Sequence, residues 1–116
     1  MINSVHVIVH SRQAEAVRAF FADVLGWESV DAGGGWPIFA MPPAELAVHP
    51  TDGPDRHELY LMCADLDATL AALKTHGVEA PEPVSEERWG RITAIQIPGA
   101  GTIQLYQPAH PSPLRQ

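Results

Sequence analysis

At 116 residues and 46% hydrophobic content, the chain has the size and composition of one globular domain, and it is too apolar for a disordered segment. Its formal net charge of -7 offers no basic face for nucleic acid or anionic lipid, and no segment approaches the roughly 20 apolar residues of a membrane-spanning helix. The single Cys63 excludes an internal disulfide, and no apolar run of signal-peptide length opens the chain, so we expect a cytoplasmic protein.

The first half of the chain begins with a strand pattern and continues with a helix pattern. Residues Val5 to His10 alternate between valines and the set His6, Ile8 and His10, which has the period of a strand. From about Gln13, apolar residues recur at helical spacing, and Gly26 stands where a helix C-terminal cap belongs. Three further short strands are predicted at 28–31, 36–41 and 46–49.

After a turn-rich linker, the second half repeats this order of elements. A strand is predicted at 57–62, and Asp65 is the expected N-cap of a helix that stops at Gly77. Three more strands are predicted at 78–84, 91–97 and 102–107. The two halves are in phase, since 51 residues separate His6 from His57 (57 − 6) and Gly26 from Gly77 (77 − 26).

A duplicated βαβββ unit explains both the repeated order and the spacing. We therefore predict an α+β fold of two tandem βαβββ modules with cupped mixed sheets in one domain, 1–116. Module one covers about 1–50, module two about 56–108, and a proline-rich tail covers 109–116. The alternative is an ordinary α+β domain in which the spacing is coincidental.

Strand alternation predicts which side chains line the concave face of each sheet, because the helices need the apolar face. In the first module, the valines of the first strand face the helix and His6, Ile8 and His10 face the cup. In the second module, Ile103 and Leu105 pack inward. The predicted cup residues of the other strands are His49, His57, Leu59, Leu61, Gln104 and Tyr106.

Two phrases of the sequence resemble those of a known family, the vicinal oxygen chelate superfamily of glyoxalases, bleomycin resistance proteins and extradiol dioxygenases. The first runs from Val5-His6-Val7 to Phe20-Phe21-Ala22-Asp23-Val24-Leu25-Gly26-Trp27 and is similar to a helix ending in "FY..VLG". The second runs from Trp89-Gly90-Arg91 to Pro98-Gly99-Ala100-Gly101-Thr102-Ile103-Gln104-Leu105-Tyr106-Gln107-Pro108 and looks like "WGR … DPDGNLIELYQP". Together they cover nearly the whole chain.

The resemblance implies a metal site. In the family's metal enzymes, the first strand of each module supplies a ligand and the last strand of the second module supplies a Glu. Carried over by position, these ligands are His6, His57 and Gln104. Such a set suits Fe(II), Mn(II), Ni(II) or Zn(II). Gln104 brings no negative charge, so the site is weakened, and the alternative is that the histidines are hydrogen-bonded structural residues.

The remaining candidate residues suit a small-molecule ligand better than a metal ion. They are His10, Trp36, His49, Leu59, Leu61, Trp89 and Tyr106. Trp36 and Trp89 are first of all core or interface residues, and stacking on a planar ligand is their second interpretation. Because the domain is small and the family pairs modules from two chains, we also predict a homodimer that completes each cup.

These observations leave two main hypotheses for the function. The first is a divalent-metal enzyme of the glyoxalase or extradiol dioxygenase type, acting on a small oxygenated substrate. The second is a metal-free protein that sequesters a planar aromatic compound or an antibiotic in the same cup. A purely structural domain is a third hypothesis.

Overall fold

The computed structural model describes residues 1, 4 and 6–114, and it has two helical segments and two sheets. The first half contains α1 (Ala14–Ala19), continued by a π-helical turn (Phe20–Val24), and the hairpin of β1 (Ser29–Asp31) and β2 (Pro37–Phe39). The second half contains β3 (Tyr60–Met62), α2 (Leu66–Thr75), β4 (Ser85–Glu87), β5 (Gly90–Ile97) and β6 (Gly101–Pro108). This arrangement confirms the predicted α+β class.

The second half has the predicted strand, helix and three-strand order in full. Its sheet has the order β3-β6-β5-β4, with β3 parallel to β6 and the other neighbours antiparallel. Helix α2 begins after Asp65, whose carboxylate accepts a hydrogen bond from the Ala68 amide at 3.1 Å, as the capping prediction requires.

The core lies between the two helices and one face of this sheet. Phe20 and Leu66 are fully buried there, together with Ile95, Ile97 and Leu105 of the sheet. The β1–β2 hairpin joins the core through Phe21, whose ring stacks on Trp27 at 5.1 Å and lies 6.0 Å from Phe39.

Two strands predicted in the first half are not formed in the described residues. Residues 6–10 and 46–49 lie outside any helix or strand, and Val5, where the first prediction began, lies outside the described residues. A strand is stable only where a neighbour exchanges backbone hydrogen bonds with it, and neither segment pairs with another strand here. Their apolar side chains are left in solvent: Ile8 is 65% exposed and Leu46 is 91% exposed.

A third strand is displaced from its predicted place. We predicted 78–84, whereas β4 begins at Ser85. Pro81 and Pro83 cannot donate a backbone hydrogen bond, which explains why ladder pairing starts only after them. Val78 instead contributes its side chain to the core.

None of the helices in the described residues has the length and apolar character required to cross a bilayer.

Candidate functional site

The site is built on the face of the β3–β6 sheet that points away from α2. Leu61, Ile95 and Leu105 pack toward the helices, and successive side chains of a strand point to opposite faces. Alternation and register therefore place Tyr60, Met62, Gln104 and Tyr106 together on the other face, which we call the open face.

This register corrects one prediction made from the sequence. Strand alternation predicts Leu59 and Leu61 in the cup, but Leu61 pairs with the buried Leu105 and packs against the core, whereas Leu59 precedes β3 and lines the cleft. Tyr60 and Met62 take the open face instead. The physical reason is that the strand 57–62 has apolar side chains on both faces, so its orientation is fixed only by pairing with β6.

An open cleft of about 570 Å³ lies where the N-terminal segment passes the start of β6. Gln104 lines this cleft, and so do Glu58 and Leu59 from the residues just before β3. The remaining lining residues are Val7, Ile8, Val9, Ala100, Thr102 and Ile103. The cleft is therefore mainly apolar, and the Glu58 carboxylate and the Gln104 amide are among its polar groups.

Three aromatic side chains form a contiguous group on the open face, which we call the aromatic group: Tyr60, Trp89 and Tyr106. Tyr106 is at the centre, with the rings of Tyr60 and Trp89 each 5.7 Å from it and nearly perpendicular to it. Tyr60 pairs in register with Gln104, so the aromatic group and the cleft share a border. Trp89 is 44% exposed, which leaves ring surface free for a ligand.

The segment after β6 folds back beside the aromatic group. The Ala109 amide donates to the Trp89 carbonyl at 2.9 Å, and the Ser112 hydroxyl donates to the Glu45 carboxylate at 2.6 Å. Between these anchors, the imidazole Nε2 of His110 lies 3.2 Å from the Tyr106 hydroxyl oxygen. His110 is thus held at the aromatic group by the chain on both sides of it.

A second polar pair lies at Tyr60. The Tyr60 hydroxyl and the Arg56 guanidinium both donate hydrogen bonds to Glu58, which lowers the pKa of the Glu58 carboxyl. The same bond to Glu58, followed by partial burial, raises the pKa of Tyr60. For Tyr106, burial is the main cause of a raised pKa, with the negative charge of Glu45 adding to it. Both tyrosines therefore keep their hydroxyl protons at neutral pH.

The structure places the three predicted metal ligands differently from one another. Gln104 is half-buried in the cleft, whereas His6 and His57 are exposed. Within residues 1, 4 and 6–114, no group of three or more His, Cys, Asp and Glu side chains is arranged to hold a metal ion. The assignment of His6, His57 and Gln104 as metal ligands therefore stays a prediction.

The other predicted ligand-binding residues divide into two sets. Trp89 and Tyr106 belong to the aromatic group, and Leu59 lines the cleft. Trp36 lies elsewhere, with its ring 5.3 Å from the Arg18 guanidinium of α1. His10 is exposed, and His49 is exposed but near enough to Glu58 for its charge to lower the pKa of that carboxyl slightly.

Sequence reasoning missed three residues of the site: Glu58, Tyr60 and His110. The alternation that directs Leu59 and Leu61 to the cup also directs Glu58 and Tyr60 to the helix side, and the register shows that it is wrong by one residue. His110 was assigned to a tail without a role, and a histidine close behind the closing strand was the only available signal.

No family model and no curated protein sequence matches this chain. Three solved structures are similar to it over most of its length. TnmS3, an antibiotic-binding protein from Streptomyces sp. CB03234, is 26% identical, with 93% of this chain and 98% of that chain covered and a TM-score of 0.65. A glyoxalase/bleomycin resistance protein from the same organism is also 26% identical, covering 85% and 95% with a TM-score of 0.57.

The third similar structure is a member of the glyoxalase/bleomycin resistance protein/dioxygenase superfamily from Sphaerobacter thermophilus DSM 20745. It is 24% identical, covers 90% of this chain and 97% of its own, and has a TM-score of 0.58. The structural similarity extends over most of the chain, and it agrees with the two sequence phrases that resemble this family. The chain therefore has the fold of the glyoxalase/bleomycin resistance protein/dioxygenase superfamily, the vicinal oxygen chelate proteins.

Proposed function

We propose that this protein binds and sequesters a planar aromatic small molecule without a metal ion. The observation that carries this proposal is the aromatic group, whose three rings share one face beside an apolar cleft. Aromatic rings in edge-to-face contact offer a flat ligand both stacking surface and apolar area. The similarity to TnmS3, an antibiotic-binding protein, supports the same function.

The experiment is a calorimetric titration of the protein with flat bicyclic and tricyclic aromatic compounds, after dialysis against EDTA. We expect binding that is the same before and after chelation, because the residues that carry it are aromatic rings and not metal ligands. Loss of binding in EDTA, or no binding of any such compound, would contradict this function.

We further propose that the protein is a homodimer in which a second copy covers the unpaired first half of the chain. Leu46 and Val48 there are 91% and 87% exposed. The Cα radius of gyration, 15.4 Å, also exceeds the roughly 13 Å of a compact domain of this length. Light scattering at micromolar concentration should give twice the mass of one 12.6 kDa chain. A monomeric mass would contradict a homodimer in which two chains complete each cup.

A second candidate function, a divalent-metal enzyme acting on a small oxygenated substrate, has one observation in its favour. Glu58 lines the cleft together with Gln104, so a carboxylate shares the cleft with the residue that stands in place of the family's Glu. Fe(II), Mn(II), Ni(II) or Zn(II) would then need His6, His57 and Gln104 to be combined across two copies of the chain. We rank this candidate second because, among the described residues, no three or more His, Cys, Asp and Glu side chains are arranged to hold a metal ion.

Gln104→Glu separates the two candidates. In a weakened metal site, the added charge should tighten Mn(II) binding about tenfold or more, which is roughly 1.4 kcal/mol. In a metal-free aromatic site, the same change places a second carboxylate near Glu58 and should weaken ligand binding. Anaerobic titration of both proteins with Mn(II) and Fe(II) is the measurement. We expect no binding by either, and tight binding by the variant would reverse our ranking.

A further inference from the structure

The hydrogen-bond direction at Tyr106 can be derived from the groups that surround His110. The Nδ1 atom of His110 lies 2.8 Å from the Pro111 carbonyl oxygen, and a carbonyl oxygen can only accept. In the neutral imidazole, Nδ1 must therefore carry the proton, and Nε2 presents a lone pair. The Tyr106 hydroxyl, 3.2 Å from Nε2, then donates its only proton to His110. The Tyr106 hydroxyl oxygen keeps its lone pairs, but it has no proton left for a ligand, because that proton is directed at His110.

We infer that the site selects planar aromatic ligands that carry hydrogen-bond donors, hydroxyl or amino groups, and that His110 is the residue that sets this preference at Tyr106. This inference rests on the proposed function and narrows it to one chemical class. A ligand that offers only an acceptor oxygen at Tyr106 leaves two oxygen lone pairs facing each other and forgoes a hydrogen bond. The Glu45 carboxylate, whose negative charge acts on Tyr106, also disfavours an anionic ligand there.

The test compares two probes of the same flat shape, naphthalene-1,5-diol and its dimethyl ether. The hydroxyls are on different rings, so the diol cannot chelate a metal through adjacent oxygens. We expect the wild-type protein to bind the diol about tenfold more tightly, the equivalent of one satisfied hydrogen bond. Calorimetric titration gives both dissociation constants.

Three variants then assign the preference to its residues. Tyr106→Phe keeps the ring and removes the oxygen, so the diol should lose most of its advantage while the ether binds as before. His110→Ala frees the Tyr106 proton to donate, so the ether should bind more tightly. The ratio of the affinity for the diol to the affinity for the ether should therefore fall. His110→Gln restores an acceptor through its side-chain oxygen and should return the ratio toward the wild-type value. If His110 had only a structural role, His110→Ala would change the affinities for the two probes by the same factor.

The outcomes for the wild-type protein distinguish failure of the donor preference from failure of aromatic binding itself. If wild type binds both probes with the same affinity, the donor preference is overturned and aromatic binding stands. If wild type binds neither probe, the proposed aromatic binding fails as well. An unchanged ratio in His110→Ala would remove His110 from the selection of ligands.

Discussion

Trp89→Ala should weaken the binding of a planar aromatic ligand by roughly 30-fold, or about 2 kcal/mol. Trp89 is half-exposed and edge-on to Tyr106, so a flat ligand on the open face would cover the indole surface that solvent now contacts. Removing the indole deletes that contact area and also leaves Tyr106 without one of its two ring neighbours in the aromatic group. Calorimetry is the suitable measurement, because the substitution itself changes tryptophan fluorescence.

Trp36→Ala is the matched control for this prediction. Trp36 is also an exposed tryptophan, but its ring packs beside Arg18 of α1, on a different element from the aromatic group. We expect its ligand affinity to stay within about twofold of the wild-type value. Equal losses in the two variants would show that binding depends on general exposure of indole surface and not on the aromatic group.

The helix and hairpin of the second half could be predicted from the sequence because their signals are local. Asp65 and Gly77 bound α2 through groups one turn away, and Pro98-Gly99-Ala100-Gly101 joins two adjacent strands. Helical hydrogen bonds join residues a few positions apart, and the ladder of the hairpin continues outward from its turn. The limits of the helix and the hairpin in the structure consequently agree with the predicted ones to within one or two residues.

The first and last strands of module one could not be predicted in the same way. Each has the alternation of polar and apolar side chains that a strand requires. This alternation produces a strand only where a neighbouring strand is present to pair with the segment. Pairing of 6–10 with a distant segment is a long-range event that local pattern does not encode. The exposed side chains of Ile8, Leu46 and Val48 are what the proposed homodimer is expected to cover.

The candidate site shows the same limit at the scale of one residue. The run Leu59-Tyr60-Leu61-Met62 carries bulky side chains on both faces, so the sequence does not decide which two enter the cup. Register with Leu105 decides it, and the decision exchanges Leu61 for Tyr60. A shift of one residue changes the character of the site from aliphatic to aromatic, and it brings Glu58 to the same side as Gln104.

Gly90→Ala should destabilise the fold by about 3 kcal/mol or more, the largest stability effect that we expect from a single methyl group. Gly90 begins β5 at a φ of +154°, and a Cβ added there would collide with the Gln107 carbonyl oxygen and lie 3.2 Å from the Pro108 Cα. These are backbone atoms of the adjacent strand, so the methyl group cannot be accommodated by turning a side chain. The end of the β5–β6 ladder would have to separate, next to Trp89 and His110.

Gly101→Ala is the matched control, because Gly101 begins β6 at a φ of +67° with nothing within 4 Å of an added Cβ. It should cost only the backbone strain of a left-handed residue, about 1–2 kcal/mol. Urea unfolding followed by circular dichroism gives both free energies, and equal midpoints for the two variants would mean that the strands do not approach as closely as the structure has them. A larger loss in Gly90→Ala, together with weakened aromatic binding in the folded variant, would show that this close approach also holds Trp89 and the segment after β6 against Tyr106.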